Sequence, residues 1–254
     1  MWAAGPATAF LGAAGILAGI CSSSGAIGSL VSYPALLAVG IAPLPANVTN
    51  AVAVTGTAFG AAARSRPELR GSGPRLLEWG AVTAAGGAAG ATLLLLTPRG
   101  SFRWIVPFLV AAGALALFFQ PHIYAWRQRR EYGDHLRIVP IGLFAFAFYE
   151  GYFGAASGVM TLALLMITVE TQLARANALK NVLLGVADVV ASIAFIIFGP
   201  VHWAAAIPLG IGFLLGGMVG PSVARRVPAR VLRLTISTAG LCLAGWLLSE
   251  AIRG

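Results

Sequence analysis

Charge is scarce in this sequence, and its absence is the first constraint. No Lys, Arg, Asp or Glu occurs from Met1 to Ala63, and charged residues make up 10% of the 254. An uncharged stretch of that length far exceeds the roughly 20 apolar residues that cross a bilayer, so several passes must follow one another. With 58% hydrophobic residues and a mean hydropathy of +0.85, a water-soluble domain is excluded and the lipid bilayer is the solvent of the fold. Cysteine is scarce too. Cys21 and Cys242 sit in apolar stretches with no CxxC and no nearby His, which excludes a zinc site or a disulfide framework and predicts two buried thiols. The three histidines, His122, His135 and His202, fall in or beside predicted loops, so no intramembrane imidazole is available. No cofactor, metal or catalytic residue is expected. The leading segment lacks a basic n-region and runs on without a processing site, so it is expected to belong to the fold rather than to a cleaved signal.

What charge there is turns out to be basic, +9 in total. The arginines gather in short runs between apolar segments, not on an aromatic-interleaved face, which argues for membrane topology and against nucleic acid. Three segments hold most of them: Arg64, Arg66, Arg70 and Arg75; Arg127, Arg129, Arg130 and Arg137; Arg225, Arg226, Arg230 and Arg233. Because cytoplasmic loops collect Lys and Arg, all three are expected inside the cell, with both chain ends outside. The six tryptophans, Trp2, Trp79, Trp104, Trp126, Trp203 and Trp246, fall near span ends and are expected at the membrane interface.

Hydrophobic periodicity predicts helices over 7–20, 27–40, 46–63, 76–96, 102–119, 138–149, 158–168, 174–198, 203–219 and 231–252. Four are short and form two pairs, each interrupted by a Gly/Ser-rich break, Gly19 to Gly28 and Glu150 to Gly158. Displacing the chain on itself by 130 residues sets Gly28 over Gly158, Leu36 over Met166, Ala46 over Ala176 and Asn47 over Asn177, with the breaks in register. The expected fold is an all-α polytopic membrane protein of about eight hydrophobic segments. It consists of two inverted repeats, each a broken-helix hairpin plus three transmembrane helices: residues 1–120, a basic cytoplasmic linker 121–137, and residues 138–254. If each pair is a hairpin, each half crosses an odd number of times and the halves are inverted, as in many secondary transporters.

Non-helical backbone at membrane depth survives only where protein or an aqueous cavity satisfies it, so the breaks are the candidate site. Free N–H groups at the start of a helix favour an anion. Gly25, Gly28, Gly154 and Gly158 would let it approach the backbone, and Ser22, Ser23, Ser24 and Ser157 offer hydroxyls, with Tyr152 beside them. Small residues also serve helix packing, which accounts for most of the 32 glycines. The polar helix starts Asn47, Thr49 and Asn50, and Asn177, Lys180 and Asn181, are further candidates. Lys180, the single lysine, would either meet the anion or snorkel to the interface. Glu150 and Asp188 are the most deeply placed carboxyls. Burial disfavours their charged form, which makes them candidate proton carriers.

The run Tyr33-Pro34-Ala35-Leu36-Leu37 and then Ala46-Asn47-Val48-Thr49-Asn50 after the first break resembles the first half of the TauE/SafE sulfite exporter family. Tyr149 to Gly158, followed by Ala176-Asn177-Ala178-Leu179-Lys180-Asn181, resembles the second. The resemblance implies a multi-pass plasma-membrane transporter without a prosthetic group that exports a small inorganic or organic sulfur anion, sulfite or an organosulfonate. The chain departs from the family pattern in its serines, where a denser glycine run is usual, and in lacking a proline equivalent to Pro34 after the second break. Two other functions compete. A passive anion channel would share the cavity and the basic loops. An intramembrane serine hydrolase would use a serine of the first break, for which Lys180 is the sole conceivable base.

Overall fold

The computed structural model describes residues 4–25, 28–64, 68–69, 71–119, 138–170, 172–224 and 229–253. Those residues form ten helices and no strand. The first half contains α1 (Ala4–Gly25), α2 (Ser29–Ala38), α3 (Pro43–Arg64), α4 (Gly73–Leu96) and α5 (Arg99–Phe118). The second contains α6 (Val139–Tyr152), α7 (Ser157–Thr168), α8 (Leu173–Phe198), α9 (Trp203–Ala224) and α10 (Ala229–Arg253). Six helices are long and apolar enough to cross a membrane, and Ser29–Ala38 and Ser157–Thr168 are shorter apolar helices. Their outer faces expose large hydrophobic side chains such as Leu77 at 80% and Phe198 at 76%, the surface that lipid covers. The chain is a multi-pass membrane protein.

The internal repeat is visible in where helices start. Pro43 and Leu173, Gly73 and Trp203, and Arg99 and Ala229 open corresponding helices, each pair 130 residues apart. Contacts repeat as well. Gly86 lies against Phe144 and Ala147 of α6, and its counterpart Gly216 against Ile16 and Gly19 of α1, partners 128 apart. Gly87 lies against Ala187 and Gly217 against Thr57, partners 130 apart. Small residues let these backbones approach closely, and each half is thereby clasped by a long helix of the other. The pairs that match each other across the repeat run antiparallel. On α3 and α8, Val48 meets Gly199, Ser192 Oγ donates to the Ala51 carbonyl at 3.0 Å, and Ala58 meets Gly185. On α5 and α10, Arg103 donates to the Glu250 carbonyl and Ala114 meets Gly240.

Several expectations need correction. The first break is much shorter than Gly19 to Gly28: α1 is helical through Gly25, because Ala, Ile, Cys and Ser are all compatible with a helix whose turns are packed against α9. At 22 residues α1 is roughly 33 Å long, not a short piece. The second break is confined to Phe153 to Ala156, with Glu150 to Tyr152 completing α6. The two breaks are therefore out of register by about two residues at the 130-residue spacing. Trp79, expected at the membrane surface, is packed inside the protein at 4% exposed, with the Arg75 guanidinium 6.0 Å over its ring. Trp104, Trp203 and Trp246 are exposed, while Trp2 and Trp126 lie outside the described residues. Cys21 is buried but Cys242 is exposed, since a lipid-facing position is as apolar in sequence as a core one. The linker 121–137 and the basic side chains other than Arg75 in the three arginine segments lie outside the described residues.

Candidate functional site

Both breaks open onto one cavity. Its wall takes Ser22, Gly28, Ser29, Val54, Thr57 and Ala58 from the first half, and Glu150, Gly154, Ser157, Gly158, Lys180, Asn181, Leu184, Gly185 and Asp188 from the second. The cavity measures about 40 Å³, room for a few waters or one small ion. It lies beside the middle of α8, with Asp188 roughly 22 Å along a helix of 26 residues.

The second break is built by two left-handed residues, Gly154 (φ 77°) and Ala156 (φ 64°), the latter being the single positive-φ non-glycine among the described residues. A Cβ at 154 would also crowd Glu150, meeting Oε1 at 3.2 Å and the carbonyl oxygen at 3.3 Å. The turn restarts the chain as α7, whose first residues Ser157 and Gly158 face the cavity with N–H groups that no helical carbonyl reaches. At the first break, Gly28 is equally constrained, because a Cβ would meet the Ala18 carbonyl at 2.6 Å and Ser22 at 2.7 Å.

Each break is held by the other half. Asn47 of α3 donates its amide to the Tyr152 carbonyl at 2.9 Å, and its counterpart Asn177 of α8 donates to the Ser23 carbonyl at 3.2 Å. These asparagines satisfy carbonyls at the C-terminal ends of α6 and α1, groups that a helix in lipid would otherwise leave unpaired.

Three ionisable groups line the cavity, all from the second half. Lys180 is 2% exposed, so it does not snorkel. Among the described residues the ion pair within 4.0 Å is Arg175 with Glu170, at 3.4 Å, and Lys180 forms none. Glu150 and Asp188, each half-buried, line the cavity together, and Glu150 Oε2 takes a hydrogen bond from Ser157 Oγ. Their equivalents in the first half carry no charge. Lys180 corresponds to Asn50 and Asp188 to Ala58 at a spacing of 130, while Glu150 corresponds to Ser22 in the register, two residues shorter, by which α6 follows α1. The cavity is symmetric in its backbone and asymmetric in its charge.

Of the residues expected in the site, Ser22, Gly28, Gly154, Ser157, Gly158, Lys180, Asn181, Glu150 and Asp188 come together. The others have different partners. Ser23 donates to the Ile20 carbonyl, Thr49 accepts from the His202 N–H at 3.0 Å, and Asn50 holds Ser29 and Ser32 at 3.1 and 2.5 Å. Tyr152 places its hydroxyl 3.4 Å from Thr97. Asn47 and Asn177 hold the breaks, and the surroundings of Ser24 and Gly25 lie outside the described residues. Sequence reasoning missed Thr57, which is 5% exposed, lines the cavity and has no hydrogen-bond partner for Oγ1. Its signal was its position seven residues after Asn50, two turns along the same face of α3.

The sulfite exporter TauE/SafE family model matches residues 11–247. A probable membrane transporter protein of Sinorhizobium (ORF9) is 28% identical over 95% of this chain and 92% of its own length. A probable membrane transporter protein of Escherichia coli K12 (YfcA) is 28% identical over 93% and 87%, and one of Haemophilus influenzae is 26% identical over 84% and 83%. No solved structure matches the chain significantly. With a family match from end to end of the two-halved helical bundle, the chain belongs to the TauE/SafE sulfite exporter family of membrane transporters.

Proposed function

We propose that the protein exports a small sulfur-containing anion, sulfite or an organosulfonate, across the plasma membrane by alternating access of two inverted halves around the central cavity. The observation that carries this is Lys180, a buried ammonium with no ion pair, facing a cavity to which both helix breaks contribute. A buried cation is costly unless an anion balances it, and with no carboxylate within 4.0 Å the Lys180 ammonium is left open to direct contact with a bound anion. The N-terminal N–H groups of α7 and the Ser22, Ser157 and Thr57 hydroxyls would complete its coordination. Inversion of the halves is supported by the antiparallel run of the matched pairs α3 with α8 and α5 with α10. A carrier is favoured over a channel by the size of the cavity, about 40 Å³, which suits one small ion rather than a continuous pore.

The test is a thermal-shift screen of the purified protein against sulfite, thiosulfate, sulfate, sulfoacetate and taurine, since a ligand bound to the native state raises its melting temperature. At least one sulfur oxyanion is expected to do so. Lys180→Gln is expected to weaken its binding about tenfold or more, because hydrogen bonds to charged groups contribute about 1.5–3 kcal/mol. An unchanged response in that variant would remove Lys180 from the site. In proteoliposomes, saturable uptake that depends on the proton gradient is expected of the carrier, and flux linear in concentration of a channel.

A further inference from the structure

The donors around the cavity already have one acceptor, and it belongs to the protein. Glu150 folds back over the second break: Oε2 accepts from Ser157 Oγ, the first residue of α7, and Oε1 lies against Gly154. A carboxyl group thus occupies the place at the start of α7 that helix geometry makes favourable for an anion. Thr57 Oγ1, from the first half, is buried without a hydrogen-bond partner, and Lys180 is buried with no carboxylate within 4.0 Å. Glu150 also lines the cavity beside Asp188, and two carboxylates facing one small buried cavity repel unless a proton is held between them. One proton on the pair leaves a single negative charge, which Lys180 balances.

We infer that Glu150 is a stand-in for the cargo, and that an arriving anion displaces its carboxylate from Ser157 and obliges it to take up a proton. The inference rests on the anion-binding reading of the cavity. The charge count enforces it. With a monoanion bound beside Lys180, the carboxyl pair must be fully protonated for the buried site to remain neutral, so one proton enters with each anion. Among the described residues no other charged side chain lines the cavity. Of the helices packed on α6, α8 supplies Lys180, Asp188 and Arg175, the last paired with Glu170, α7 has no charged side chain, and Arg75 and Glu78 of α4 lie in its first two turns. The neighbouring phenol of Tyr149 is turned to the Leu109 carbonyl, at 3.4 Å. Proton and anion are therefore bound together and cross as a pair, so export runs down the anion's own gradient and carries a proton out with each anion.

The test uses the intact purified protein and two probes, sulfite and methanesulfonate, titrated calorimetrically in two buffers of different protonation heat, with the probe's own proton balance subtracted. The wild type is expected to take up about one proton per anion, with affinity weakening up to about tenfold per pH unit as pH rises. Glu150→Gln combined with Asp188→Asn, which leaves no carboxyl group beside Lys180, is expected to bind the anion with no proton uptake and little pH dependence. Anion binding without proton uptake in the wild type, or proton uptake that survives in the double variant, overturns the inference while leaving the anion site intact. Failure of both probes to bind the wild type overturns the anion site itself, and this inference with it. The wild-type titration decides the matter even if the variant does not fold.

Discussion

At the scale of single residues, the second break depends on a backbone conformation that alanine tolerates poorly. Ala156 holds a left-handed φ of 64° while 1% exposed, a state that costs an L-residue roughly 1–2 kcal/mol. A β-branched residue could not take it without a much larger penalty. Ala156→Val is accordingly expected to lose about 2 kcal/mol or more of stability and the anion-dependent thermal shift, whereas Ala156→Gly should stay within about 1 kcal/mol of the wild type. Thermal unfolding in detergent measures both. A valine variant as stable as the native protein would show that the break does not need this geometry. Lys180, Glu150 and Asp188 were legible in the sequence because charge within an apolar run is conspicuous. The roles of Asn47 and Asn177 were not. Both were expected to meet a ligand, and instead each supplies a hydrogen bond to the carbonyl end of the other half's broken helix. Nothing in the local sequence separates an amide that binds cargo from one that caps a helix more than 100 residues away.

Helices add a second kind of constraint, imposed by closeness. A Cβ at Gly86 would meet the Phe144 carbonyl at 2.6 Å, while one at Gly245 of α10 meets nothing within 4 Å. Overpacking a tight contact costs about 1–3 kcal/mol, and removing a glycine from an open helix position gains up to about 1 kcal/mol. Gly86→Ala and its repeat counterpart Gly216→Ala are expected to lower the melting temperature, and Gly245→Ala to hold or raise it. Equal effects at all three positions would mean that glycine contributes flexibility here rather than contact. Element positions were largely readable from hydrophobic periodicity, and the starts of α8 and α9 fall within a residue of expectation. The extent of the first break was not, because Gly19 to Ser24 carries the residues of a break while contact with α9 keeps them helical. Burial was equally hidden. Trp79 and Cys242 lie in stretches of similar hydropathy, yet one faces protein and the other the outside.

For the molecule as a whole, orientation of the halves decides how the cavity can open. Two halves related by an axis along the membrane normal would place equivalent loops on one side, and a rocking motion would then expose the cavity on that side alone. Halves related by an axis in the membrane plane place equivalent loops on opposite sides, so that exchanging the conformations of the halves exchanges the side of access. The antiparallel packing of α3 on α8 and of α5 on α10 favours the second relation, since helices that match across an in-plane axis must run in opposite directions. Gly73 and His202 offer a direct test. Gly73 begins α4 and His202 immediately precedes the equivalent helix α9, and both are exposed. Gly73 lies next to the first arginine segment, so the positive-inside rule puts it in the cytoplasm. In a protein whose Cys21 and Cys242 are replaced by alanine, His202→Cys is expected to react with a membrane-impermeant maleimide added to intact cells, and Gly73→Cys only after permeabilisation. Labelling of both from the same side would make the halves parallel, and would leave the cavity with no symmetric route to its second face.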